Sequence, residues 1–173
     1  MNNRKSFIVG IKSTKLSTKE KIFLKRYKPW GVILFTRNIK DIKQTFNLTS
    51  SIRKIFNDKR YPILIDQEGG RVNRLKNIIS FDNLTSEFFG DRYIKNFKEF
   101  KFIYKLFIDK TSYLLKLIGI NINTSPVLDL RVKGASNIIG DRSFSKDPRI
   151  VSKIGDYCIQ YLHENGIGSI IKH

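Results

Sequence analysis

The sequence predicts an α/β protein on a parallel sheet, a TIM-type (β/α)8 barrel truncated after about five β/α strands, and three observations carry that expectation. Short apolar, β-branched runs alternate with segments of helical period, the pattern of parallel strands joined by right-handed crossovers. The runs lack a polar face, as strands covered on both sides do. Polar, charged or glycine-rich residues then follow strand after strand, at Thr36-Arg37-Asn38, Asp66 to Arg74, Asp129 to Arg142 and Lys172-His173. In both the doubly wound sheet and the barrel, ligands sit at such carboxyl ends; four polar loops converging there favour the barrel. A complete barrel takes roughly 200–250 residues, against 173 here. One domain spanning residues 1–173, stopping partway round, is the expectation.

Taken in order, Phe7 to Ile11 is a short apolar strand. Ser17-Thr18-Lys19-Glu20 reads as a capping box, the serine hydroxyl and glutamate carboxylate satisfying free amides at a helix start. That helix stops before Pro29, which excludes Lys28 from helical geometry. Gly31 to Phe35 is the second strand. Asp41 opens a helix with apolar positions Ile42, Phe46, Thr49, Ile52 and Phe56, and Pro62 to Ile65 is the third strand. Residues 76–95, with Gly90 and many Asp, Asn and Ser, read as a long loop holding one helical turn. From about Lys98 to Leu117 the spacing of Phe100, Ile103, Tyr104, Phe107, Leu114 and Leu115 is helical, and Gly119 ends the run. Ile120 to Thr124 is the fourth strand. Asp147-Pro148 starts a helix with Ile150, Ile154, Cys158 and Tyr161 on one face, Gly166 ends it, and Ile167 to Ile171 is the fifth strand.

Composition excludes several classes. Apolar residues make up 40% of the chain and no Pro, Gly or Ser tract interrupts it, which argues against disorder. The amino-terminal apolar stretch is far short of a signal peptide's core of roughly 7–15 residues, and no run approaches the roughly 20 apolar residues of a membrane helix. A cytoplasmic protein with no membrane partner is expected. The formal charge of +18 leaves two readings: lysines spread over solvated faces, or attraction to a polyanion. No aromatic-interleaved basic motif supports nucleic-acid binding. Cys158, the single cysteine, fits a buried structural thiol. No histidine or cysteine cluster has metal-ligand spacing, neither GxGxxG nor a P-loop occurs, and no cofactor is expected.

The most informative stretch is Ile63-Leu64-Ile65-Asp66-Gln67-Glu68-Gly69-Gly70-Arg71-Val72-Asn73-Arg74. A buried strand ends in two carboxylates, two glycines and two arginines. The glycines allow a sharp turn that brings Arg71 or Arg74 near Asp66, keeping that carboxylate charged. Asp66 and Glu68 are too close in sequence to straddle a glycosidic bond, and an arginine partner lowers a carboxylate's pKa rather than making it an acid. Asp66 therefore reads as an acceptor for ligand hydroxyls, or as one half of a structural clasp. Arg142, in Gly140-Asp141-Arg142-Ser143-Phe144, can donate two parallel bonds to a carbonyl or carboxylate. Lys172-His173 either faces the ligand or frays, and His163 reads as a surface residue.

Together, Ile65 to Arg74, Ser125-Pro126-Val127-Leu128-Asp129, Ile139 to Phe144 and Lys172-His173 closely resemble family 3 glycoside hydrolases, in particular the compact bacterial β-N-acetylglucosaminidases of the NagZ type. The order and spacing match from Gly31 onward. The resemblance implies a TIM-type barrel, monomeric, that removes terminal β-linked N-acetylglucosamine from muropeptides in cytoplasmic peptidoglycan recycling, with retention through a covalent intermediate. It assigns sugar binding to Asp66, Arg74, Arg142, Lys172 and His173, and loop support to Arg71 and Glu68. Family members continue beyond the Lys-His pair into a loop with a His/Asp acid/base dyad and a later Asp nucleophile. No catalytic residue is thus expected within these residues; the chain carries the substrate-binding half of a site and is expected to be inactive alone. The rival expectation is a non-catalytic N-acetylglucosamine- or peptidoglycan-binding module.

Overall fold

The computed structural model describes residues 4–132, 134 and 137–173. Five parallel strands, β1 (Lys5–Gly10), β2 (Pro29–Leu34), β3 (Ile63–Ile65), β4 (Ile122–Asn123) and β5 (Gly168–Ser169), form one sheet in the order β1-β2-β3-β4-β5. Strictly sequential order is that of barrel staves; a doubly wound sheet would reverse direction at a switch point. Helices α1 (Thr18–Tyr27), α2 (Ile42–Phe56), α3 (Ser86–Lys95), α4 (Phe97–Leu117) and α5 (Pro148–Glu164) make the connections. The inner strands carry the core: Val32, Leu34, Ile63 and Ile65 are buried in one cluster with Ile52, Phe100, Leu115 and Ile154. β1 lies at one edge, and its Phe7 and Ile8 are exposed. No helix among the described residues is long and apolar enough to cross a membrane.

The expected starts and stops form by the expected chemistry. Ser17 Oγ accepts from the Glu20 amide at 3.2 Å while the Glu20 carboxylate accepts from the Ser17 amide at 2.8 Å, closing the capping box. Asp41 accepts from the Gln44 amide at 2.7 Å and Asp147 from the Arg149 amide at 2.9 Å. Lys28 leaves the helix in a left-handed conformation, φ 48°, ψ 59°, rather than the extended one usual before proline.

Two expectations are corrected. Residues 86–95 are a helix, not loop: Thr85 Oγ1 accepts from the Phe88 amide at 3.0 Å to cap it, and Phe89 is buried against Tyr104 and Phe107. Gly90 signals a close approach instead of a turn, since a Cβ there would lie 1.7 Å from the Phe144 carbonyl oxygen. On α2 the expected Thr49 and Ile52 are buried, joined by Thr45 and Leu48, while Ile42 and Phe46 are exposed. The threonines reach the interior because their hydroxyls are bonded, Thr45 to the Asp41 carbonyl at 2.7 Å and Thr49 to the Ile118 carbonyl at 2.8 Å. Cys158 is buried as expected, and burial pushes its thiol up to about 12. Residues 133, 135 and 136 of the polar segment after β4 lie outside the described residues.

Candidate functional site

Asp66 follows β3 directly, so the sheet itself aims its carboxylate. The chain beyond is braced by two side chains, Asn123 of β4 and Gln67. Asn123, buried at the end of β4, accepts from the Gln67 amide at 3.0 Å and donates to the Gln67 carbonyl at 2.9 Å. The Gln67 side chain in turn accepts from the Arg74 and Leu75 amides at 2.9 and 3.1 Å. Between them the backbone doubles back at Gly69 and Gly70, φ 92° and 55°, with a Cβ at Gly69 placed 2.2 Å from the Leu84 carbonyl oxygen. Only glycine fits there.

This turn brings charges together that are distant in sequence. The Asp66 carboxylate accepts from the Thr124 hydroxyl, from Lys172 Nζ at 2.9 Å and from Arg74 Nη2 at 3.5 Å. Glu68 takes Lys172 Nζ at 2.6 Å and a two-pronged Arg142 guanidinium at 2.8 and 3.0 Å. Lys172 thus bridges both carboxylates of the stretch. These side chains are largely withdrawn from water, Glu68 at 4% exposure and Arg142 and Lys172 at 15%. Lys172 is anchored in the sheet by backbone bonds to Pro126 and Leu128, so the alternative of a frayed Lys172 is set aside. His173 Nδ1 lies 2.7 Å from Asp129 Oδ2, and the Asp129 charge also acts on Arg142.

The electrostatics fix protonation states. Burial alone would push the Asp66 carboxyl up, but the Thr124 hydrogen bond, Lys172 and Arg74 outweigh it and hold the group below its ordinary range. The Glu68 hydrogen bonds raise the Arg142 guanidinium against the opposing effect of burial. An anionic Asp66 can accept from hydroxyls, and the cations beside it can donate to hydroxyl or amide oxygens. Arg74 Nε is buried with no partner among the described residues, a donor that an incoming oxygen would satisfy. With carboxylates and cations interleaved, the cluster suits a polar, uncharged ligand.

Of the two arginines offered as alternative partners of Asp66, Arg74 is the one that reaches it. Arg71 instead donates to the Asn137, Ile138 and Ile139 carbonyls and pairs with Asp141 at 3.1 Å, clamping the segment that presents Arg142. Four predicted residues, Asp66, Arg74, Arg142 and Lys172, join one ionic network; His173 connects through Asp129. Sequence reasoning missed Thr124, Asn123 and the Asp129 contact with His173, and it saw Glu68 only as loop support although that residue holds Arg142 and Lys172 together. Polar Asn123-Thr124 at the end of a buried strand was the available signal. Among the described residues no group of histidines, cysteines and carboxylates could hold a metal ion.

Comparison with known proteins bears on the family and the fold. The model of the glycosyl hydrolase family 3 N terminal domain matches residues 8–173. A beta-hexosaminidase of Hydrogenovibrio crunogenus is 35% identical over 166 residues, 96% of this chain and 46% of its own length, and one of Xanthomonas oryzae is 32% identical over 168 residues, covering 96% and 48%. The crystal structure of NagZ from Neisseria gonorrhoeae superposes with a TM-score of 0.86 at 27% identity, covering 98% of this chain and 49% of that one. The same enzyme in complex with N-trifluoroacetyl-D-glucosamine gives 0.85 at 28% identity, covering 98% and 50%. The chain spans about half the length of these relatives, and its sheet and helices are those of their TIM-barrel-like fold.

Proposed function

The chain belongs to glycosyl hydrolase family 3, and from that premise we propose that it serves a β-N-acetylglucosaminidase acting on terminal β-linked N-acetylglucosamine of muropeptides, in cytoplasmic peptidoglycan recycling. These residues supply the groups that grip the sugar. Asp66 accepts from ring hydroxyls; Arg74, Arg142 and Lys172 donate to hydroxyl and N-acetyl oxygens; His173, oriented by Asp129, offers its other ring nitrogen. The observation that carries the reading is the convergence of Asp66, Glu68, Arg142 and Lys172 at the ends of adjacent strands. The crystal structure of NagZ from Neisseria gonorrhoeae in complex with N-trifluoroacetyl-D-glucosamine supports the ligand class.

Bond cleavage needs a carboxyl or imidazole that can give up and take back a proton near the leaving oxygen. Asp66 is held as the anion by Thr124, Lys172 and Arg74 against the opposing effect of burial, and Glu68 is engaged by two cations. Asp66 fits binding and Glu68 fits holding Arg142 and Lys172 in place, and we propose that these residues alone do not hydrolyse glycosides. Titration calorimetry of the chain with N-acetylglucosamine tests the reading. Saturable binding, weakened about 30-fold or more in Asp66→Ala as expected for losing a charged hydrogen-bonding partner, supports it. No binding, or binding indifferent to Asp66, overturns it, and hydrolysis of a chromogenic N-acetylglucosaminide by the chain would overturn the assignment of Asp66 to binding and of Glu68 to support.

A further inference from the structure

Helix α4 runs 21 residues, about 30 Å at the rise of an α-helix, and its two long faces differ. One packs Phe100, Tyr104, Phe107, Leu114 and Leu115 into the core. The other should be polar, yet it presents Phe102, Leu106, Tyr113 and Leu117 in a single stripe, with exposures of 71%, 59%, 54% and 38%. Phe102 and Leu106 also border an open groove of about 550 Å³, shared with Phe97 and Tyr161.

Lysines flank the stripe on both sides. At 100° per residue, Lys110 lies along one border and Lys98, Lys101, Lys105 and Lys116 along the other. Lys101 stands 6.0 Å from the centre of the Phe97 ring and Lys110 5.8 Å from that of Tyr113, stems along the aromatic surface. The acids of this side are already engaged. Asp109 takes Lys105 at 3.1 Å and Asn165 at 2.8 Å, Glu164 takes Lys105 at 3.5 Å, and Glu99 takes Arg92 at 3.4 Å. Lys98, Lys101, Lys110 and Lys116 form no ion pair among the described residues.

We propose that this face of α4 seats on an anionic phospholipid bilayer, its apolar stripe at the boundary of headgroups and acyl chains and its lysines on the lipid phosphates. The combination is that of an interfacial amphipathic helix: an apolar strip, aromatic residues at its margin and cations along both borders. A second copy of the chain is disfavoured by charge, because pairing two such faces opposes lysine to lysine in a protein of net charge +18. A soluble polyanion would use the lysines and leave the stripe in water. The proposal departs from the expectation of no membrane partner, and it divides the two readings of the net charge by location: these lysines border a binding surface.

Co-sedimentation of the 173-residue chain with vesicles tests it. Vesicles of phosphatidylglycerol mixed with phosphatidylcholine should carry the chain down and vesicles of phosphatidylcholine alone should not. Rising salt should weaken the binding as the lysines are screened. Phe102→Ser combined with Leu106→Ser should reduce it about tenfold or more, with an unchanged far-UV spectrum, whereas Phe46→Ser, at an exposed apolar site on α2, should leave it intact. Absence of binding to the anionic vesicles, or equal binding by the double variant, overturns the proposal. So does heparin binding as tight as vesicle binding and insensitive to the double variant, which would mark a general polyanion surface. A dimer in sedimentation velocity that the double variant dissolves would assign the stripe to a second copy and likewise overturn it.

Discussion

The carboxyl end of the sheet and the outer face of α4 use the same cations to opposite effect. At the strand ends, Lys172 and Arg142 are drawn out of water and share Asp66 and Glu68. On α4, Lys98, Lys101, Lys110 and Lys116 stand in solvent beside exposed apolar side chains. A net charge of +18 therefore describes neither region: the site is internally compensated, and part of the excess lies on a helix remote in sequence from Asp66. Removing one charge from a buried, hydrogen-bonded network strands its partners, while removing one from a solvated face changes little.

That contrast orders the expected effects of substitution. The largest is Glu68→Ala, which leaves the Arg142 guanidinium and the Lys172 ammonium short of an acceptor; a loss of about 3–5 kcal/mol is expected in urea unfolding. A loss under about 1 kcal/mol, the range of exposed pairs, would erase the difference between the two regions. A smaller effect is expected with pH. The folded-state pKa of Asp66 is held below its unfolded value, because Thr124, Lys172 and Arg74 overcome the opposing effect of burial. Its contribution is fully present above the unfolded value near about 3.9 and is lost as pH falls through the folded one. Thermal midpoints followed downward from pH 5 should thus fall more steeply for the native chain than for Asp66→Asn.

Two further substitutions sharpen the comparison away from the site. Thr85→Ala removes the side-chain acceptor at the start of α3 and should cost about 1 kcal/mol in the same unfolding measurement. Lys101→Ala, on the exposed face of α4, should fall within about 0.5 kcal/mol of the native chain. A larger loss would show that this lysine supports the fold through its aromatic neighbours Phe97 and Tyr157.

Two regions depart from their local pattern. Gly90 looks like a loop residue by composition; its reason for being glycine is the Phe144 carbonyl, more than fifty residues away. Phe46 fits a helical period yet faces water, while Thr45, outside the expected positions, reaches the interior with its hydroxyl bonded to the Asp41 carbonyl. Local pattern reports which face is apolar, and the carbonyl that decides Gly90 lies outside it. The caps at Ser17, Asp41 and Asp147 were legible because donor and acceptor lie within three residues.

By itself the sequence determined most of the alternation of strand and helix, the starts of α1, α2 and α5, the polar strand ends and the motifs that place the chain in its family, all of which rest on backbone propensity, period and short-range hydrogen bonds. Only the tertiary structure decided which charges meet. Lys172 lies between Asp66 and Glu68 because β3, β4 and the chain beyond β5 are laid side by side by backbone hydrogen bonds. Ion pairing depends on distance in space, and that distance does not exist until the sheet has formed.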